Sequence, residues 1–61
     1  MDSFAKEELQ EARRAIASTI SKCEKVQLKL REGTPQFSLT RNRINAFRVA
    51  VALINQRLEE M

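Results

Sequence analysis

The chain lacks histidine, tryptophan and tyrosine, and it has a single cysteine, a single glycine and a single proline. One cysteine cannot close an intrachain disulfide, and without histidine no ligand set typical of a zinc or iron–sulfur site remains. No glycine-rich phosphate loop, nucleophile–base pair or cofactor fingerprint is present. We therefore expect a protein that is not an enzyme and has no metal, no cofactor and no small-molecule substrate.

Long apolar runs are also missing, since no segment approaches the roughly 18 residues of a membrane span. The first four residues, Met1–Phe4, lack the basic flank and apolar stretch of a secretory signal. A single cysteine suits a reducing compartment. We expect a cytoplasmic protein without a membrane span.

What the chain does have is two apolar stripes, whose members are spaced alternately by three and four residues. They lie on either side of Gly33-Thr34-Pro35. The first comprises Ala5, Leu9, Ala12, Ile16, Thr19, Cys23, Val26 and Leu30, and the second comprises Phe37, Thr40, Ile44, Phe47, Val51, Ile54, Leu58 and Met61. This spacing is typical of helices packed along a seam.

The first helix is predicted at about residues 3–31, with Asp2 or Ser3 as its N-terminal cap. Gly33 lies just past its end, as a helix C-terminus favours. The second helix could begin at Thr34, with Pro35 in its first position, or at Ser38.

We favour Ser38 as the start of the second helix, because a two-residue reversal would be strained. That choice gives a second helix at about residues 38–60 and a turn at about 32–37, within one domain over residues 1–61.

The two stripes match layer by layer when the chain folds back so that paired residue numbers sum to about 70. The layers are then Leu30/Thr40, Val26/Ile44, Cys23/Phe47, Thr19/Val51, Ile16/Ile54, Ala12/Leu58 and Leu9/Met61. This match predicts an all-α antiparallel two-helix hairpin. Cys23 is expected to be a small core residue rather than a reactive thiol.

Apolar residues off the seam indicate a second contact. Eight of the nine residues from Ala46 to Ile54 are apolar, and a helix that is apolar nearly all round is buried on several sides. So short a chain also needs association to be stable. We therefore expect either a homodimer that forms a four-helix bundle or a helical protein partner. The expected interface comprises Ala46, Val49, Ala50, Leu53 and Ile20.

Charge is distributed unevenly along the chain, whose formal net charge is +3. Residues 22–48 hold seven basic and two acidic side chains, whereas both terminal segments are slightly acidic. The hairpin tip is therefore basic and its open end acidic. An antiparallel dimer would set each tip beside the other chain's open end.

The basic residues also support an alternative function, the binding of nucleic acid through a basic face near the tip. The candidate contacts are Arg41, Arg43, Asn45, Arg48, Lys25 and Lys29. In size and layout the hairpin resembles the Rop-type plasmid copy-control proteins, and this resemblance implies a dimer that binds RNA. A basic amphipathic helix can also lie on anionic lipid, but these apolar faces are better used in closing a bundle. The favoured function is a protein–protein interaction or regulatory module that self-associates.

Overall fold

A computed structural model describes residues 3–61 and contains two helices, α1 (Lys6–Gln27) and α2 (Pro35–Glu59), which pack against each other. Within residues 3–61 there is no strand. The predicted all-helical hairpin is thus confirmed. Its overall dimensions are 42 × 19 × 17 Å, as expected of two helices lying side by side.

Helix α1 begins later than the sequence predicts. Its N-terminal cap is Ala5, whose backbone N–H donates a 3.0 Å hydrogen bond to Oε1 of Glu8. A glutamate three residues into a helix can satisfy the free amide at the cap in this way, and its charge suits the helix dipole. Ser3 lies outside the helix, so its prediction as the cap is wrong. Asp2, the other predicted cap, lies outside the described residues.

Helix α1 also ends early, at Gln27 rather than near residue 31. The Leu28 amide still bonds the Glu24 carbonyl four residues back, but those of Lys29 and Leu30 donate 3.0 Å hydrogen bonds to carbonyls only three residues back. This tightening satisfies carbonyls at the helix end. Gly33 then has a φ of 86°, which glycine adopts readily because it has no Cβ. The connection therefore spans residues 28–34.

Helix α2 begins at Pro35 with Thr34 as its cap, so the predicted start at Ser38 is wrong. The Thr34 hydroxyl accepts a 3.2 Å hydrogen bond from the Phe37 amide and donates a 2.7 Å bond to the Arg31 carbonyl. Proline costs nothing in the first turn, because the amide it lacks would have no helical partner. The early end of α1 removes the strain that a two-residue reversal would have imposed.

The core of the hairpin is thin. Only Leu9 and Ile44, at 9% and 4% exposure, are buried within residues 3–61. Most other seam residues are half-buried, but Ala5, Thr19, Val26 and Met61 are exposed. Ile20 and Gln27, which lie next to Thr19 and Val26, are half-buried instead. Helix α1 is therefore rotated relative to the predicted layers. The rotation brings the larger Ile20 towards the core in place of Thr19, which buries more apolar surface.

Candidate interaction surfaces

Helix α2 carries a second apolar stripe, which we call the outer face. It comprises the apolar residues Leu39, Ala46, Val49 and Leu53 and the polar Asn42, spaced alternately by three and four residues. All five are exposed, and the three large apolar side chains, Leu39, Val49 and Leu53, are 52%, 59% and 60% exposed. The same spacing that packs a seam is thus repeated on a surface that α1 does not cover.

The outer face lies on the far side of α2 from α1. Each of its residues comes two positions after a seam residue, as Ala46 follows Ile44 and Leu53 follows Val51. Two residues correspond to about 200° of rotation around an α-helix. Helix α2 therefore has one apolar side against α1 and another turned almost directly away from it.

The residues predicted as an oligomer interface are divided by the structure. Ala46, Val49 and Leu53 lie on the outer face, and the half-buried Ala50 lies at its edge. Ile20 is half-buried within the hairpin rather than off its seam. Sequence reasoning missed Leu39 and Asn42, although continuing the three–four spacing backwards from Ala46 would have found both.

Helix α1 has no comparable second apolar face. Its exposed side chains are polar or alanine, apart from Val26 in its last turn: Lys6, Glu7, Glu8, Gln10, Glu11, Arg14, Ala15, Ala17, Ser18, Thr19, Ser21, Lys22, Glu24 and Lys25. This composition is typical of a helix whose outer side faces water. Leu28, 87% exposed, lies just beyond the helix in the connection.

One flank of the hairpin is closed by two polar contacts between the helices. Nη1 of Arg13 donates a 2.7 Å hydrogen bond to Oδ1 of Asn55, and Nη2 of Arg48 lies 2.8 Å from Oε2 of Glu24. The first contact is partly buried and the second is exposed. The paired residue numbers sum to 68 and 72, close to the 70 that the antiparallel layers predict.

The opposite flank is open and forms a shallow cleft of about 200 Å³. Its lining residues come from both helices: Thr19, Lys22, Cys23, Val26, Thr40 and Arg43. Cys23 is therefore half-buried at the edge of the seam rather than enclosed in a core. Lys22 and Arg43 place two cations beside this cleft.

The residues predicted to form a basic face do not share one surface. All six are exposed, but Arg48 is paired with Glu24 on the closed flank, whereas Arg43 lines the open cleft. Arg41 and Asn45 lie seven and three residues before Arg48, which puts them on its side of α2. Lys25 is in α1, and Lys29 follows the end of that helix.

Chemical sites are scarce in the part of the chain that the structure describes. Residues 3–61 contain no group of three or more side chains that could hold a metal ion. Among them, no buried side-chain nitrogen or oxygen lacks a hydrogen-bond partner. Neither described helix is long and apolar enough to span a bilayer. The surfaces, rather than any enclosed pocket, are the candidate functional features.

Comparison of the chain with models of known protein families, with curated proteins and with solved structures gives no match. The likeness to Rop-type hairpins therefore concerns size and layout, and no residue role is transferred from them.

Proposed function

We propose that this chain is a small, non-enzymatic interaction module of the cytoplasm that self-associates through the outer face of α2. The observation that carries the proposal is the second three–four stripe, with Leu39, Val49 and Leu53 each more than half exposed. A helix with apolar stripes on opposite sides is suited to lie between two other helices. Helix α1 covers one side, and a second copy would cover the other.

The expected affinity is modest. Burying the exposed half of a leucine or valine stabilises a complex by about 1 kcal/mol or slightly more. A symmetric contact would bury three such side chains from each copy, against an association cost of about 4–15 kcal/mol. Small residues such as Ala46, which allow close backbone approach, add dispersion contacts. These terms leave a few kcal/mol at most, and a millimolar Kd corresponds to about −4 kcal/mol. We therefore expect weak association, near the millimolar range, so that the assembly responds to the concentration of the protein.

Light scattering behind size-exclusion chromatography, from micromolar to millimolar concentration, tests the proposal. The informative variant is Ala46→Glu, which puts a charge in the outer face. Its matched control is Ala52→Glu, because Ala52 is equally an exposed alanine of α2 but lies off the outer face. We expect a larger species for the wild-type protein and for Ala52→Glu, and a monomer for Ala46→Glu.

A wild-type monomer across the whole range would overturn the proposal. Equal loss of assembly in both glutamate variants, with helicity retained by circular dichroism, would overturn the choice of face. Because each variant adds the same charge to the same helix, a general charge effect cannot produce a difference between them.

Nucleic-acid binding is the second candidate, and the observation that favours it is the excess of basic side chains in residues 22–48. A gel shift at low salt tests it, since phosphate-driven binding weakens steeply as salt rises. Arg43→Ala should reduce binding, whereas Arg57→Ala, at the open end, should not. The absence of a shifted band with folded protein would remove this candidate.

A further inference from the structure

We infer that the second copy docks antiparallel, with a two-fold axis beside Ala46 that sets Leu39 of one chain against the partner's Leu53. The inference rests on the self-association proposed above and specifies its geometry. It follows from the spacing of the outer face, the position of that face along α2 and the distribution of charge.

The spacing of the outer face is symmetric about its centre. Leu39 and Leu53 each lie seven residues from Ala46, which is close to two full helical turns, so all three point to the same side. A two-fold axis beside Ala46 therefore exchanges the two leucines. Such a contact is isologous, since the same patch serves both chains.

The centre of the face also lies near the centre of the helix. Ala46 is within one residue of the midpoint of α2, which spans Pro35–Glu59. Antiparallel pairing there overlaps the two copies of α2 along nearly their whole length. A small side chain at the crossing lets the helices approach closely, while the leucines pack at either end.

Charge selects the antiparallel orientation over the parallel one. A parallel dimer would set the two basic connections side by side and the two acidic ends of α2 side by side. The antiparallel dimer instead brings the acidic end of α2, with Glu59 and Glu60, beside the partner's connection. That connection carries Lys29 and Arg31 against the single acid Glu32. Like-charge juxtaposition disfavours the wrong arrangement even where each exposed pair contributes little.

This geometry gives a flat row of four helices rather than the closed bundle that the sequence suggests. In a closed bundle each helix packs against two neighbours on adjacent sides, whereas the two apolar sides of α2 are nearly opposite. The two copies of α2 occupy the middle of the row and the two copies of α1 its edges. The polar outer side of α1 fits an edge position, and the cleft beside Cys23 stays open.

Disulfide trapping tests the orientation, in a Cys23→Ser background that removes the native thiol. Leu39→Cys and Leu53→Cys are made separately and oxidised alone or mixed. In the antiparallel dimer the mixture should cross-link at least tenfold faster than either variant alone. Identical cysteines would lie about 21 Å apart along the helix axis, well beyond the roughly 7 Å between Cα atoms that a disulfide tolerates.

A second pair keeps the test valid if the leucine changes weaken association. Asn42→Cys and Ala50→Cys remove no large apolar side chain and lie within α2, four residues on either side of Ala46. The same two-fold axis sets position 42 of one chain opposite position 50 of the other, so their mixture should also cross-link preferentially. Ala46→Cys alone should cross-link with itself. Light scattering on each unoxidised sample reports whether a dimer is present.

The outcomes separate the two proposals. A dimer in which Leu39→Cys and Leu53→Cys each cross-link with themselves is parallel, and it overturns this inference while self-association stands. A dimer in which neither mixture nor Ala46→Cys cross-links overturns the two-fold axis at Ala46. A wild-type protein that is monomeric at every concentration overturns the proposed function itself.

Discussion

Nη1 of Arg13 lies 2.7 Å from Oδ1 of Asn55, and this hydrogen bond joins the two helices between residues that are 42 positions apart in the chain. It lies on the same flank as the 2.8 Å contact between Arg48 and Glu24. Together the two contacts fix the register of the hairpin at two levels. Because the hairpin buries so little apolar surface, even the roughly 1 kcal/mol of a partly buried polar contact is expected to be measurable.

Replacing Arg13 by alanine should lower the free energy of unfolding by about 1 kcal/mol, because Asn55 loses its partner at a part-buried position. Urea denaturation followed by circular dichroism measures the change. Arg14→Ala is the matched control: its side chain is 80% exposed and its nearest acid, Glu11, is 3.7 Å away, so it should cost less than about 0.5 kcal/mol. Equal costs for the two arginines would show that the bond to Asn55 adds nothing.

Thr34→Ala should destabilise the hairpin by about 1 kcal/mol, since it removes the acceptor for the Phe37 amide at the start of α2. Ser38→Ala, at the start that the sequence favoured, should change stability by less than about 0.5 kcal/mol or raise it slightly, because alanine is the better residue inside a helix. Thermal unfolding of the two variants compares them directly. If Ser38→Ala lost more stability than Thr34→Ala, Ser38 rather than Thr34 would be the cap of α2 in solution.

Gly33→Ala should cost about 1–2 kcal/mol for a purely conformational reason. The φ of this residue is +86°, a region that a Cβ disfavours, while an added Cβ would meet no atom within 4 Å. Gly33→Asn should cost less, because asparagine tolerates positive φ better than alanine does. If alanine and asparagine were equally tolerated, the backbone at Gly33 would not be constrained in solution as it is in the structure.

The helix type and the antiparallel pairing could be predicted from the sequence because periodic apolar spacing is a strong signal over twenty or more residues. The helix ends could not, because several residues compete as caps. Thr34 rather than Ser38 caps α2 because α1 ends at Gln27, which leaves seven residues, 28–34, for the chain reversal. That early helix end depends on backbone hydrogen bonds to carbonyls three residues back, and no distinctive residue pattern in the sequence predicts them.

The rotation of α1 relative to the predicted layers could not be predicted from the sequence either. A heptad pattern assigns Thr19 and Val26 to the seam, but a straight helix drifts by about 20° per heptad relative to an exact seven-residue repeat. The structure turns Ile20 inward instead. This rotation also removes Ile20 from the surfaces that could bind a second copy, and it leaves the outer face of α2 as the one extended apolar stripe that the described residues expose.

Ile44→Ala and Leu53→Ala should separate folding from association. Ile44 is 4% exposed, and its truncation should cost about 2–5 kcal/mol, enough to unfold much of so small a domain. Leu53 is 60% exposed, so its truncation should leave the stability of the dilute monomer within about 1 kcal/mol of the wild type.

Association stabilises the folded state by mass action, so the wild-type Tm should rise with protein concentration while that of Leu53→Ala stays constant. Melting curves over a hundredfold range of concentration measure both effects. A concentration-independent Tm for the wild type would contradict self-association, and an equal rise for Leu53→Ala would move the contact to another face.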